Sequence, residues 1–115
     1  MGWWVYLENA ETGAVLDVAL HSEGGTRALG GTTEASVSVT WNYSPYFSLS
    51  FPGGLRWMND KAAADTIAHL ESAVASLGTV QDADYWKATP GNAGYILSVL
   101  LGWAKQHPNG VWRVH

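Results

Sequence analysis

The sequence predicts an α+β fold: an antiparallel β-meander with two helices packed on one face and a C-terminal strand joining the sheet. Three observations carry this. Residues 35–42 alternate with the period of a strand, Val37, Val39 and Trp41 on one side and Ser36, Ser38, Thr40 and Asn42 on the other. Two later segments repeat apolar residues at helical spacing. Glycine- and proline-bearing turns divide the elements from one another.

Taken in order, residues 3–8 are rich in aromatic and β-branched side chains and run into Asn9-Ala10-Glu11-Thr12-Gly13, which carries turn chemistry. A strand entering a hairpin is expected, with residues 14–20 as the returning strand. Residues 21–33 are polar and glycine-rich, with Gly24-Gly25 and Gly30-Gly31 flanking a short strand at 26–29. After the alternating strand, Pro45, Pro52 and Gly53-Gly54 break up an aromatic stretch holding Tyr46, Phe47, Phe51 and Trp57, an ordered and packed connection. Asn59 or Asp60 caps a helix over 61–77, where Ala63, Ile67, Leu70, Val74 and Leu77 form the buried stripe and Gly78 ends it. Residues 79–87 are a second connection. Thr89-Pro90 starts the next helix, because the threonine hydroxyl accepts from an orphan amide and proline at the first helical position has none to satisfy. That helix runs to Gln106 with Ala93, Ile96, Leu97, Leu100 and Ala104 inward, Pro108-Asn109-Gly110 stops it, and residues 111–114 form the last strand. There is no internal repeat.

A chain of 115 residues fits a single domain spanning 1–115, since compact domains cluster at ~100 to 150 residues. Hydrophobic residues make up 47% and charged ones 14%, against ~25% charged in typical soluble domains. With seven Trp and five Tyr, some aromatic surface is expected in a subunit interface or a pocket, and a homo-oligomer is expected. The net charge is −4 and Arg27, Arg56, Lys61, Lys87, Lys105 and Arg113 are scattered, which disfavours nucleic-acid binding through a basic stripe. The absence of cysteine excludes disulfides and thiolate zinc sites. The start at Met1-Gly2-Trp3-Trp4 lacks a basic segment followed by an apolar run, and the longest apolar stretch, at 96–104, is far short of the ~20 residues of a membrane span. A cytoplasmic protein that does not engage membranes is expected.

The residues offer no catalytic or metal-binding motif. His21, His69, His107 and His115 share no ligand spacing. His69 lies four residues after Asp65, the spacing of a surface ion pair, and His107 in a last helical turn suits the helix dipole. The serines lack a nucleophile-elbow context. Asp82, Asp84 and Asp60 read as turn and cap residues before they read as cation ligands. The stretch Gly24 to Gly31 lacks the Gly-Lys-Ser/Thr ending of a phosphate loop, so a mobile hairpin is the better reading. The protein is therefore expected to be a binding protein without enzymatic activity, cofactor or metal.

Two segments suggest where a ligand sits. In Tyr85-Trp86-Lys87-Ala88-Thr89-Pro90-Gly91-Asn92, a helix start supplies amides at Thr89, Gly91 and Asn92. Gly91 permits close approach, Lys87 adds charge and Trp86 a stacking face. In Trp41-Asn42-Tyr43-Ser44-Pro45-Tyr46, followed later by Arg56-Trp57, stacking and hydrogen-bonding groups leave a strand into a loop. Tyr43, Tyr46 and Arg56 are the expected exposed contacts, while Trp41 also suits buried packing.

Val39-Thr40-Trp41-Asn42-Tyr43-Ser44, Gly54-Leu55-Arg56-Trp57-Met58-Asn59-Asp60-Lys61, Tyr85-Trp86 with Thr89-Pro90-Gly91-Asn92-Ala93, and Trp103-Ala104, His107-Pro108 and Val111-Trp112-Arg113-Val114 together carry a resemblance. From Ala35 to the C-terminus the chain resembles a group of small proteins encoded by bacteriophages and prophages, though no functional residue is carried over. The resemblance implies an accessory, counter-defence role: sequestration of a small nucleotide-like signalling molecule. The alternatives are inhibition of a host defence protein by an aromatic face, in the manner of anti-CRISPR proteins, and a phosphodiesterase acting on the same signals.

Overall fold

Strand β1 (Gly2–Glu8) is the middle of the main sheet, and its alternation decides what lies on each side of it. Val5 and Leu7 are fully buried and Trp3 packs edge-on against Phe47 at 5.6 Å, while Trp4, Tyr6 and Glu8 point away. The computed structural model describes residues 2–24 and 27–115.

The strands after β1 are β2 (Asp17–Gly24), β3 (Arg27–Glu34), β4 (Ser36–Thr40) and β5 (Val111–Val114). They form two open antiparallel sheets, one of order β4-β1-β5 and one of β2-β3. Val5 stands opposite Val37 on one side and Val114 on the other. These three valines, with Leu7, Val39 and Trp112, make the sheet's contribution to the core. The helices are α1 (Ser44–Ser50), α2 (Ile67–Leu77) and α3 (Pro90–Gln106). All five residues expected to face inward from α3 are buried, and on the preceding helix Ala63 and Leu70 are buried with Ile67, Val74 and Leu77 packed against them. The fold is mixed α+β, with helices packed on antiparallel sheets. No helix of the described residues is long and apolar enough to cross a membrane.

The meander is not continuous. β1 takes β4 and β5 as neighbours and meets the returning chain at its end, where Glu8 is bridged to Val15. The cause is a three-way junction. The Leu7 amide donates to the Ala35 carbonyl, the Leu16 amide to the Leu7 carbonyl, and the Ala35 amide to the Leu16 carbonyl, each at 2.9 Å. Leu16 thereby separates the two strands, and β2 and β3 continue as their own hairpin. Gly25 and Thr26, where one turn and the start of a short strand were expected, lie outside the described residues. That hairpin leans on the end of α3: the His107 Nε2 donates to the Asp17 carbonyl at 2.6 Å and the His21 ring lies 5.0 Å from Trp103.

Residues 61–77 are not one helix. A 3-10 turn occupies Ala63–Thr66 before α2, because the preceding residues serve β5 instead. Outward amides at the edge of β5 need acceptors, and the segment supplies them. The Trp112 amide donates to the Lys61 carbonyl at 3.0 Å, the Val114 amide to Asn59 Oδ1 at 2.9 Å, and the Asp60 amide to the Trp112 carbonyl at 2.8 Å. Asn59 and Asp60 are thus edge caps rather than helix caps, and Asp60 adopts a positive φ of 69°, a conformation Asp tolerates better than most residues. Its carboxylate pairs with Arg113, as does that of Glu8. The bond to Glu8, with Asp60 assisting, raises the pKa of Arg113 above its ordinary value, so the guanidinium stays charged and adds no pH dependence near neutrality.

The same region buries Trp112 completely, and its Nε1–H donates to the hydroxyl of buried Thr66 at 2.8 Å. That hydroxyl in turn donates to the Ala63 carbonyl at 2.8 Å. Thr66→Val preserves shape but strands a buried indole N–H and a carbonyl, so it is expected to destabilise the protein by about 2 kcal/mol. Urea unfolding measures this, and an unchanged midpoint would contradict it.

Candidate functional site

Residues 78–89 contain no helix or strand, so their backbone groups need partners from outside. The start of α3 provides them. Asn92 is fully buried. Its Oδ1 accepts from the Asp82 amide at 2.8 Å and its Nδ2 donates to the carbonyls of Asp84 and Lys87 at 3.1 and 3.0 Å. Two glycines allow the approach: a Cβ on Gly91 would stand 1.7 Å from the Val80 carbonyl oxygen, and one on Gly94 1.8 Å from that of Gly78. Inside the segment, Asp82 accepts from the Asp84 amide and Asp84 from the Trp86 amide. These aspartates therefore act in turns, and the described residues hold no group suited to a metal ion.

The other side of the segment is held by the residues that follow β4. Asn42 Nδ2 donates to the Trp86 carbonyl at 2.7 Å, the Tyr43 hydroxyl donates to the Tyr85 carbonyl, and the Tyr46 hydroxyl to the Ala88 carbonyl at 3.3 Å. The two segments singled out in the sequence, 41–46 and 85–92, are thus brought together. Tyr85 and Trp86 stand edge to face, 4.9 Å apart. With Gly2, Ser38 and Thr40 they line a groove of about 190 Å³. Trp4, directly opposite Ser38 in the ladder, continues this surface and stacks on Tyr6 at 6.2 Å. Trp86 is 50% exposed, Trp41 47% and Trp4 41%, so three indoles offer faces at one end of the main sheet.

The expected contacts divide by position. Trp86 and Lys87 are exposed at the rim. The Lys87 ammonium stands 3.7 Å from Asp82, a solvent-exposed pair of little strength. Tyr43 is fully buried and Tyr46 half-buried; both anchor the segment rather than offering exposed contacts. Thr89 caps α3 by accepting from the Asn92 amide at 3.1 Å. The space over Gly91 is filled by the chain's own Val80 carbonyl, so the close approach it permits is made from within. Trp41 begins a 3-10 turn instead of continuing the strand and contacts Trp3 with ring centroids 6.1 Å apart. Arg56 and Trp57 belong to a different surface: Trp57 stacks on Phe51 at 5.7 Å, meets His69 at 4.2 Å and lies 4.8 Å beneath the Lys61 ammonium. His69 thus rests on Trp57 and makes no ion pair with Asp65 among the described residues.

Trp4, Ser38, Thr40 and Tyr85 were not in the expected set. Their meeting depends on the β1–β4 register and on where residues 78–89 dock, and neither is written in local pattern. Asn92→Ala removes three hydrogen bonds, leaving the Asp82 amide without its acceptor and the Asp84 and Lys87 carbonyls with only the backbone amides of Lys87 and Thr89. A loss of about 2 to 3 kcal/mol is expected, and calorimetric melting reads it directly; a loss below about 0.5 kcal/mol, the scale of ordinary surface substitutions, would deny Asn92 this role.

No family model, curated protein or solved structure matches this chain.

Proposed function

We propose that the chain is a non-catalytic binding protein that holds a small nucleotide-like molecule at the Trp86 rim and sequesters it. The observation that carries this is the groove of about 190 Å³ between Trp86, Tyr85 and the hydroxyl-bearing Ser38 and Thr40. It has an indole to stack on and the Ser38 hydroxyl to meet a polar edge, while the Thr40 hydroxyl accepts from the Asn42 amide. Aromatic faces accept any nucleobase, and hydroxyls select among ring edges by hydrogen bonding. The phosphate of such a ligand lies outside the groove, over Lys87, whose exposed pairing with Asp82 yields to a stronger anion. In the bacteriophage setting that the sequence resembles, withdrawal of a nucleotide immune signal is a counter-defence activity.

A second reading rests on the same indoles. Trp4, Trp41 and Trp86 are exposed indoles of the kind that anchor protein interfaces, which favours inhibition of a host protein. The two readings differ in what Trp86→Ala does.

Titration calorimetry with cyclic and linear nucleotides is expected to give binding that Trp86→Ala weakens about tenfold or more, the scale of one base–aromatic stack. Lys87→Glu weakens it further for phosphorylated ligands than for nucleosides. Ligand released by heat is expected to return intact, whereas turnover would indicate a phosphodiesterase. Absence of binding by every nucleotide at millimolar concentration, or equal affinity in Trp86→Ala, would overturn the assignment.

A further inference from the structure

At the opposite end of the molecule the β1–β2 turn and the α3–β5 turn enclose an open cleft of about 380 Å³, twice the size of the groove at Trp86. Its polar lining comes from Asn9, Glu11, Gln106, His107 and Asn109, with Leu16 as an apolar surface. The only carboxylate in that lining is Glu11, and no lysine or arginine shares it. Among the described residues Glu11 takes part in no ion pair, and its carboxylate accepts no hydrogen bond.

Two further features give the cleft its sign. The last turn of α3 ends here, and among the described residues the carbonyls of Ala104, Lys105 and Gln106 receive no backbone donor. Unsatisfied carbonyls are the negative end of the helix dipole, and the basic residue of that turn, Lys105, is paired to Glu71 at 3.6 Å. The turn that presents Glu11 is fixed: Asn9 Oδ1 accepts from the amides of Glu11 at 2.8 Å and Thr12 at 3.1 Å. His107 is fixed too, its Nε2 committed to the Asp17 carbonyl at 2.6 Å. The cleft therefore combines a carboxylate carried on a fixed turn, the side-chain amides of Gln106 and Asn109, a negative helix end and an apolar wall.

We infer that this cleft binds a small organic cation with a guanidinium head and a short aliphatic arm. A planar guanidinium spreads its donors in a fixed fork over acceptors set well apart, whereas an ammonium gathers its donors on one compact centre, and the arm of the guanidinium lies along Leu16. The site is separate from the Trp86 rim and stands whether or not that rim binds a nucleotide.

Titration of the ¹⁵N-labelled chain with butylguanidine is expected to give saturable shifts of the Glu11, Gln106, Asn109 and Gly110 amides. The neutral isostere butylurea is expected not to saturate. Glu11→Gln, at an exposed turn position whose side chain holds nothing in the fold, is expected to weaken butylguanidine about tenfold while the rest of the spectrum keeps its dispersion. Trp86→Ala is expected to leave it unchanged. Failure of butylguanidine to saturate, equal binding of butylurea, or indifference to either the charge at Glu11 or its removal would overturn the site.

Discussion

An irregular segment can lie against a protein core only when its amides and carbonyls find partners, and here one buried side chain supplies three of them. Asn92 has both an acceptor and a two-hydrogen donor, and both functions serve residues 82, 84 and 87. No other side-chain type of similar size combines the two: aspartate would only accept, and leucine would do neither. Gly91 and Gly94 extend the same device, because a side chain at either would occupy the space of the Val80 or Gly78 carbonyl. What the start of α3 does, then, is seat the segment that carries Tyr85 and Trp86.

The sheet obeys the same accounting. β1 has two sides and both are used, one by β5 and the other first by β4 and then by Val15 and Leu16. The outer edge of β5 is closed by residues 59–63. This costs α2 its first turns, since the backbone at Asn59, Asp60 and Lys61 cannot both serve a strand edge and begin a helix. The Trp112 indole is tied to Thr66 behind that edge, so strand, connector and helix start are held as one block. The main sheet's outward face, with Trp4, Tyr6 and His115 in ring contact, is left as surface.

Elements whose residues make their own periodic pattern were legible in the sequence. Thr89-Pro90 marked the start of α3 and Gln106 its end, Gly78 with φ of 75° ended α2, and Val37 and Val39 were placed on the buried side of β4. Features set by a distant partner were not. Asn59 reads locally as a cap, and only the edge amide of Val114, which donates to its Oδ1, makes it something else. Trp41 continues the alternation of β4 by spacing, yet Thr40 accepts from the Asn42 amide and starts a turn, which turns the indole outward. Ser44-Pro45 begins α1, a helix that the aromatic and proline-rich composition of 43–59 concealed. For the site, both candidate segments were visible, but their separation into anchors (Tyr43, Tyr46, Asn92) and exposed faces (Trp41, Trp86) depends on packing that no window of sequence contains.

The two ends of α3 present opposite situations, and this bears on what each can recognise. A helix of 17 residues is about 25 Å long, so its ends are electrically independent in solvent at physiological ionic strength. At the N-terminal end the Asn92 amide is taken by the Thr89 hydroxyl and the Ala93 amide by the Thr89 carbonyl, while residues 78–89 cover the surface. Pro90 has no amide and those of Asn92 and Ala93 are already spent, so in the proposed reading attraction for phosphate at the rim falls to Lys87, with Trp86 providing contact area rather than charge. At the C-terminal end the carbonyls of Ala104 to Gln106 face no backbone donor, and Glu11 adds a full negative charge nearby. The negative end of the helix thus belongs to the cleft and not to the groove, with Lys105, the basic residue of that last turn, paired to Glu71 at 3.6 Å. That ordering follows from Pro108, which has no amide to return to the last turn, and from Asn92, which has a side chain suited to filling the first.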